Sequence, residues 1–126
     1  MALFNSVQAG HEEGNMLKTH PIRELSRKKG GEYVLGLKDL ETHACYMIYG
    51  ELKPGEKGRK VCPGRGHEEI LLAVNGDLEV SGEPFAGVLH EGEAIHLKEE
   101  QTCFLANPGK SRLIYVLAGG HSGTEH

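Results

Sequence analysis

The stretch PGRGHEEILLAV, residues 63–74, places an imidazole and carboxylates directly before an unbroken apolar run. Successive side chains of a strand point to opposite faces, so His67 and Glu69 share a face with Cα atoms roughly 7 Å apart. Imidazole and carboxylate at that spacing can converge on one ion. A cysteine thiolate facing them would complete a mixed nitrogen, oxygen and sulfur set of the kind that suits a divalent metal, zinc or iron. Arg65 points to different chemistry. Its guanidinium keeps its proton and costs Coulomb energy beside a divalent cation, whereas its fork pairs well with a carboxylate or phosphate. Two sites therefore stand side by side: a metal centre built on His67 and Glu69, or a ligand site in which Arg65, His67 and Glu69 contact a small polar molecule. The plainer alternative keeps His67 and Glu68 as solvated loop-end residues and Cys103 as a small core hydrophobe.

The remaining chemistry-bearing residues are more scattered. In EAIHL, Ile95 and Leu97 claim the packed face and leave His96 on the opposite one with Ala94. His90 precedes a Gly turn, and His121 and His126 lie in the GGHSGTEH tail. The basic stretch KGRKVCPGR reads as a solvated loop or an anion patch. No nucleophile motif, phosphate-cradling loop or dinucleotide fingerprint is present.

Positioning these side chains falls to many short strands. Gly is abundant at 18 of 126 residues, and segments rich in Tyr, Val, Ile and Leu alternate with turn signals such as KPGEKG and NGD at about ten-residue spacing. That pattern predicts an all-β chain, a small antiparallel β-barrel or double-sheet jelly roll, as one domain over residues 21–120. A polar N-terminal arm over 1–20 and a tail over 121–126 flank it. HPIRELSRK, residues 20–28, fits a short strand or a single helical turn equally. Strands are expected at 69–75 and 112–118, with Ile70, Leu72, Val74, Leu113, Tyr115 and Leu117 packed inside. The run Ile70 to Val74 is apolar on both faces, so something must cover each, and a partner subunit in a homodimer is one such cover.

A net charge of −4 with mixed signs gives no footprint for nucleic acid or an anionic membrane. The N-terminus lacks a basic and apolar leader pattern, the apolar runs are too short to cross a bilayer, and three unpaired-looking cysteines fit a reducing compartment. Cytoplasm is the expected location.

The order of motifs resembles the cupin family of small barrels. Glu69 and Gly76 match the end of its first motif, Gly92 and Asn107 the ends of its second, and the resemblance spans roughly residues 45–117. It implies a jelly-roll barrel with a pocket. The metal histidines of the family fall here at Pro63 and Arg65, or at Cys62 and Gly64 with one extra residue, and its later histidine falls at Cys103; only Glu69 stands as in the family, and the metal set that the resemblance implies is His67, Glu69 and Cys103. Cupin members include isomerases, epimerases, dioxygenases and non-enzymatic binders, and a fold does not choose among them. The expectation is a small cupin that binds a small polar ligand, with an atypical metal ion left open. The alternatives are a metal-dependent enzyme, sugar isomerase-like, epimerase-like or dioxygenase-like, and a structural dimer whose pocket is filled by side chains.

Overall fold

A computed structural model describes residues 17–122. The expected N-terminal arm, residues 1–20, lies mostly outside that range, as does His126. Helix α1 (Ile22–Lys28) leads into β1 (Glu32–Leu35), one-turn helix α2 (Leu37–Leu40), β2 (Cys45–Leu52), β3 (Lys57–Val61) and β4 (His67–Ala73). There follow β5 (Leu78–Gly82), β6 (Gly87–Leu89), β7 (Ala94–Lys98), β8 (Cys103–Ala106) and β9 (Leu113–His121). Residues 22–28 are thus helical, resolving the ambiguity left by periodicity.

The strands form a five-stranded sheet in the order β1-β2-β9-β4-β7 and a four-stranded sheet in the order β3-β8-β5-β6. Every pairing between them is antiparallel, the jelly-roll arrangement expected from the turn spacing. Leu52, Leu71, Ala73, Leu97, Leu113, Tyr115 and Leu117 of the larger sheet face Val61, Leu78, Val80, Leu89, Cys103 and Leu105 of the smaller, all buried.

One face assignment is reversed. Ile70 is 51 % exposed and Val74 38 %, while Leu71 and Ala73 fill the core. The strands begin and end differently too, at 67–73 and 113–121. The physical reason is parity. An apolar run carries no alternation to read, but Glu69 does: if its carboxylate enters the barrel, Leu71 and Ala73 must follow it and Ile70 cannot. On β9 the expectation for Leu113, Tyr115 and Leu117 holds.

Asn107, which ends the second motif, is a structural clamp. Its Nδ2 donates to the carbonyls of Leu52, Lys53 and Ser111 at 3.1, 3.1 and 2.8 Å, and its Oδ1 accepts from Gly109 N–H at 2.9 Å. The end of β2 and the loop between β8 and β9 are tied at one buried amide.

Candidate functional site

At the end of the barrel opposite Asn107, a cavity of about 350 Å³ is lined by residues of β1, β2, β4, the α2 region and the loop before β4. Tyr46, His67 and Glu69 supply its polar inner wall; His43, Thr42 and Cys62 edge it, and Val34, Leu37, Ile48 and Pro63 give it apolar sides.

Register explains the inner wall. Tyr46 on β2 and Glu69 on β4 both pair with Gly119 on the intervening β9, so the three lie in one row across the sheet. Strands two apart are about 9–10 Å from one another, twice the spacing of neighbours. Gly119 has no side chain, and the Tyr46 ring lies over it: a Cβ there would sit 2.3 Å from the ring's Cζ. The phenol thereby crosses β9 and donates to Glu69 Oε2 at 2.6 Å. The same device recurs deeper in the barrel, where the Tyr115 ring lies over Gly50, its cross-strand partner. There the Tyr115 hydroxyl donates to Glu32 Oε2 at 2.5 Å and accepts from Arg59 at 2.8 Å.

Glu69 is only 4 % exposed, and its second oxygen, Oε1, is buried with no hydrogen-bond partner. Burial pushes its carboxyl above the usual carboxylate range; the Tyr46 hydrogen bond and His67 work against that shift, and the Glu32 carboxylate adds to it. Burial and the Glu69 carboxylate together push the Tyr46 phenol well above its ordinary value, so it serves as a donor.

The imidazoles gather next to this pair. His67 pairs in register with His121, and their ring centroids are 5.6 Å apart. His67 is 5.7 Å from the Tyr46 ring and His43 is 6.4 Å from His121. His121, assigned to the tail by sequence, is the last residue of β9. Glu99 holds this end together from a left-handed backbone (φ 52°). Its amide donates to the His67 carbonyl at 2.9 Å, and its carboxylate accepts from the Gly66 amide and the Ser122 hydroxyl.

The sequence-predicted residues therefore separate. His67 and Glu69 share the cavity. Arg65 does not line it: its side chain is 88 % exposed, with Glu100 at 4.0 Å. Cys103 lies across the barrel in β8, fully buried in the core and outside the cavity lining, and burial raises its thiol pKa so that the proton stays on. His96 faces outward, as expected, and bonds to Glu68 at 2.7 Å. Among the described residues, no three His, Cys, Asp or Glu side chains form a group that could hold a metal ion. The donor set does not fit the metal that the resemblance implies: one Glu69 oxygen is taken by Tyr46, and the thiol is on the far sheet. Tyr46 was missed. The Gly pair at the end of an apolar strand, LAGGH, is the sequence signal that could have found it, because Gly inside a strand marks close approach of another group.

No family model matches the sequence, and no curated protein matches it. Solved structures do. A cupin protein from Bacteroides fragilis superposes with a TM-score of 0.65 at 10 % identity, covering 92 % of this chain and 91 % of that one. A conserved protein with a double-stranded β-helix domain from Klebsiella pneumoniae gives 0.64 at 18 % identity, covering 83 % and 90 %. An oxalate oxidase in complex with the substrate analogue glycolate gives 0.61 at 19 % identity, covering 91 % of this chain and 63 % of that one. At such identities the likeness speaks for architecture alone, and it agrees with the strand order and register described above: this chain has the cupin fold, a double-sheet jelly-roll barrel.

Proposed function

We propose that the chain is a small-ligand-binding cupin whose barrel mouth takes a polar molecule presenting a hydrogen-bond donor to Glu69. The observation that carries this is the unpartnered Oε1 of a carboxylate only 4 % exposed, on the wall of the cavity. A buried acceptor left unmade costs about 1–3 kcal/mol, and more when charged, so a donor arriving from a ligand recovers that energy. The volume lies at the lower end of the roughly 300–1,000 Å³ typical of small-molecule sites. An oxalate-like dianion is disfavoured, because it would meet the Glu69 carboxylate with no Lys or Arg in the described lining. A metal-dependent isomerase, epimerase or dioxygenase would need Cys103 beside His67 and Glu69, and the thiol is packed in the opposite sheet.

A thermal-shift screen of small polyols, amides and amines tests the site. Hits should raise Tm through binding to the folded state, and the effect should vanish in Glu69→Leu. Hits that survive that substitution, or no hits at all, would remove the donor site.

The protein is also proposed to act as a homodimer. Met47, Ala118, Ile70 and His96 form one cross-strand row on the outer face of the five-stranded sheet, with exposures of 37 % at Met47 and 51 % at Ile70. A sheet face carrying such residues calls for a cover. Light scattering should report a dimer that Ile70→Glu splits; a wild-type monomer would refute it.

A further inference from the structure

Resting on the donor site just described, we infer that its ligand is a small primary ammonium with a short apolar body. Four observations converge on a donor-only, positively charged head group. Glu69 lines the cavity, and its Oε1 is buried just behind that lining without a hydrogen-bond partner. Tyr46 already donates to the other oxygen, so the open half of the carboxylate is an acceptor. The described lining contains no Lys or Arg, so of its side chains only the His67 imidazole sets a charge against Glu69. The Glu32 carboxylate acts on Glu69 from further down the barrel with the same sign of charge. A buried carboxyl is either paired or kept neutral by its own proton, and a cationic head group entering from outside supplies the pair in place of the proton.

The shape of the polar lining narrows the class further. An alkylammonium carries three donors and no acceptor. Beside Glu69, the cavity is lined by His43 and His67, whose neutral imidazoles each carry one acceptor nitrogen, and by Thr42 with its hydroxyl. Val34, Leu37, Ile48 and Pro63 supply the surface for an aliphatic body. A hydroxyl could make one of these hydrogen bonds but would leave the carboxylate charge uncompensated. A carboxylate ligand would add a second negative charge beside it.

Isothermal titration of the full chain at pH 7.5 with n-butylammonium chloride, 1-butanol and sodium butyrate separates the cases, because the three share one aliphatic body. The ammonium should bind at one site per chain, about tenfold or more tighter than the alcohol, as a charge-assisted bond is roughly twice as strong as a neutral one. Butyrate should give no saturable heat. In Glu69→Gln, checked for folding by circular dichroism, ammonium affinity should fall about tenfold, to the level of the alcohol. NMR shifts caused by the ammonium should centre on Tyr46 and His67. Equal binding of alcohol and ammonium, both lost in Glu69→Leu, would overturn the ammonium assignment while leaving the donor site standing. Preference for butyrate would overturn both. Absence of saturable ammonium binding, or binding indifferent to Glu69→Gln, would overturn the inference.

Discussion

Gly119→Ala should be among the most damaging single-methyl additions in the barrel, and its cost should depend almost wholly on one other side chain. Gly119 lies outside the left-handed backbone region, so alanine meets no backbone strain there. The added Cβ would instead lie 2.3, 2.5 and 2.6 Å from Cζ, Cε1 and the hydroxyl oxygen of Tyr46. Overpacking of this kind costs about 1–3 kcal/mol. Displacing the ring also breaks the 2.6 Å bond to Glu69, worth about 1.5–3 kcal/mol for a charged acceptor. Together they predict a loss of about 3–5 kcal/mol, a large fraction of the ~5–15 kcal/mol that holds a domain of this kind folded. Tyr46→Phe isolates the hydrogen bond and should lose about 1.5–3 kcal/mol. The decisive comparison is Gly119→Ala in a Tyr46→Ala background. With the ring gone the methyl meets open space, and alanine in a strand should then be favoured over glycine by roughly 0.5 kcal/mol. Urea unfolding followed by far-ultraviolet circular dichroism gives all four values of the cycle, provided the m-values agree. A cost for Gly119→Ala that stays the same without the Tyr46 ring would refute the account of how phenol and carboxylate are brought together.

The other end of the five-stranded sheet carries a second buried carboxylate with the opposite balance. The Glu51 side chain is 2 % exposed, accepts from Arg27 Nε and Nη2 at 3.0 and 3.1 Å, and accepts from Arg112 Nη1 at 3.4 Å. Burial alone would raise its pKa, but Arg27, Arg112 and Tyr49 hold it below the ordinary value. The folded state therefore binds fewer protons than the unfolded chain. Its contribution is present above the ordinary carboxylate pKa and is lost as pH falls through the depressed one. Replacing Arg27 and Arg112 together by Ala leaves the buried Glu51 charge uncompensated and should destabilise the fold at pH 7. Glu51→Gln should cost less, since both guanidiniums are half exposed and can hydrate; equal costs in urea titrations would count against the pairing. Thiol labelling of the native protein should modify the exposed Cys45 first, Cys62 more slowly, and the fully buried Cys103 only on unfolding. Prompt labelling of Cys103 would mean that the thiol is reachable from the cavity after all.

The barrel was legible because its punctuation is local. KPGEKG and NGD specify turns from their own residues, and strand lengths follow from where the turns fall. The facing of β4 was not legible from its apolar run, since Ile70 to Val74 reads the same from either side. It was legible from Glu69, had that residue been used as the ruler for its neighbours: a carboxylate inside the barrel at 69 puts Leu71 and Ala73 in the core and Ile70 outside. The site divides along the same line. His67 and Glu69 are neighbours on one strand, and spacing alone puts them on one wall. Tyr46, Gly119 and Glu69 lie 23 to 73 residues apart in sequence, and only register sets them in a row. Arg65 and Cys103 were placed by the positions they occupy in a family pattern, which fixes where the chain passes but not where a side chain of another type will point. At 65 the long guanidinium extends into solvent, and at 103 the small thiol packs into the core. What replaces them is a phenol reaching over a glycine to hold one oxygen of a buried carboxylate and leave the other for a ligand. On the function proposed above, a site of that construction would select for hydrogen-bond donors rather than for an ion's coordination geometry.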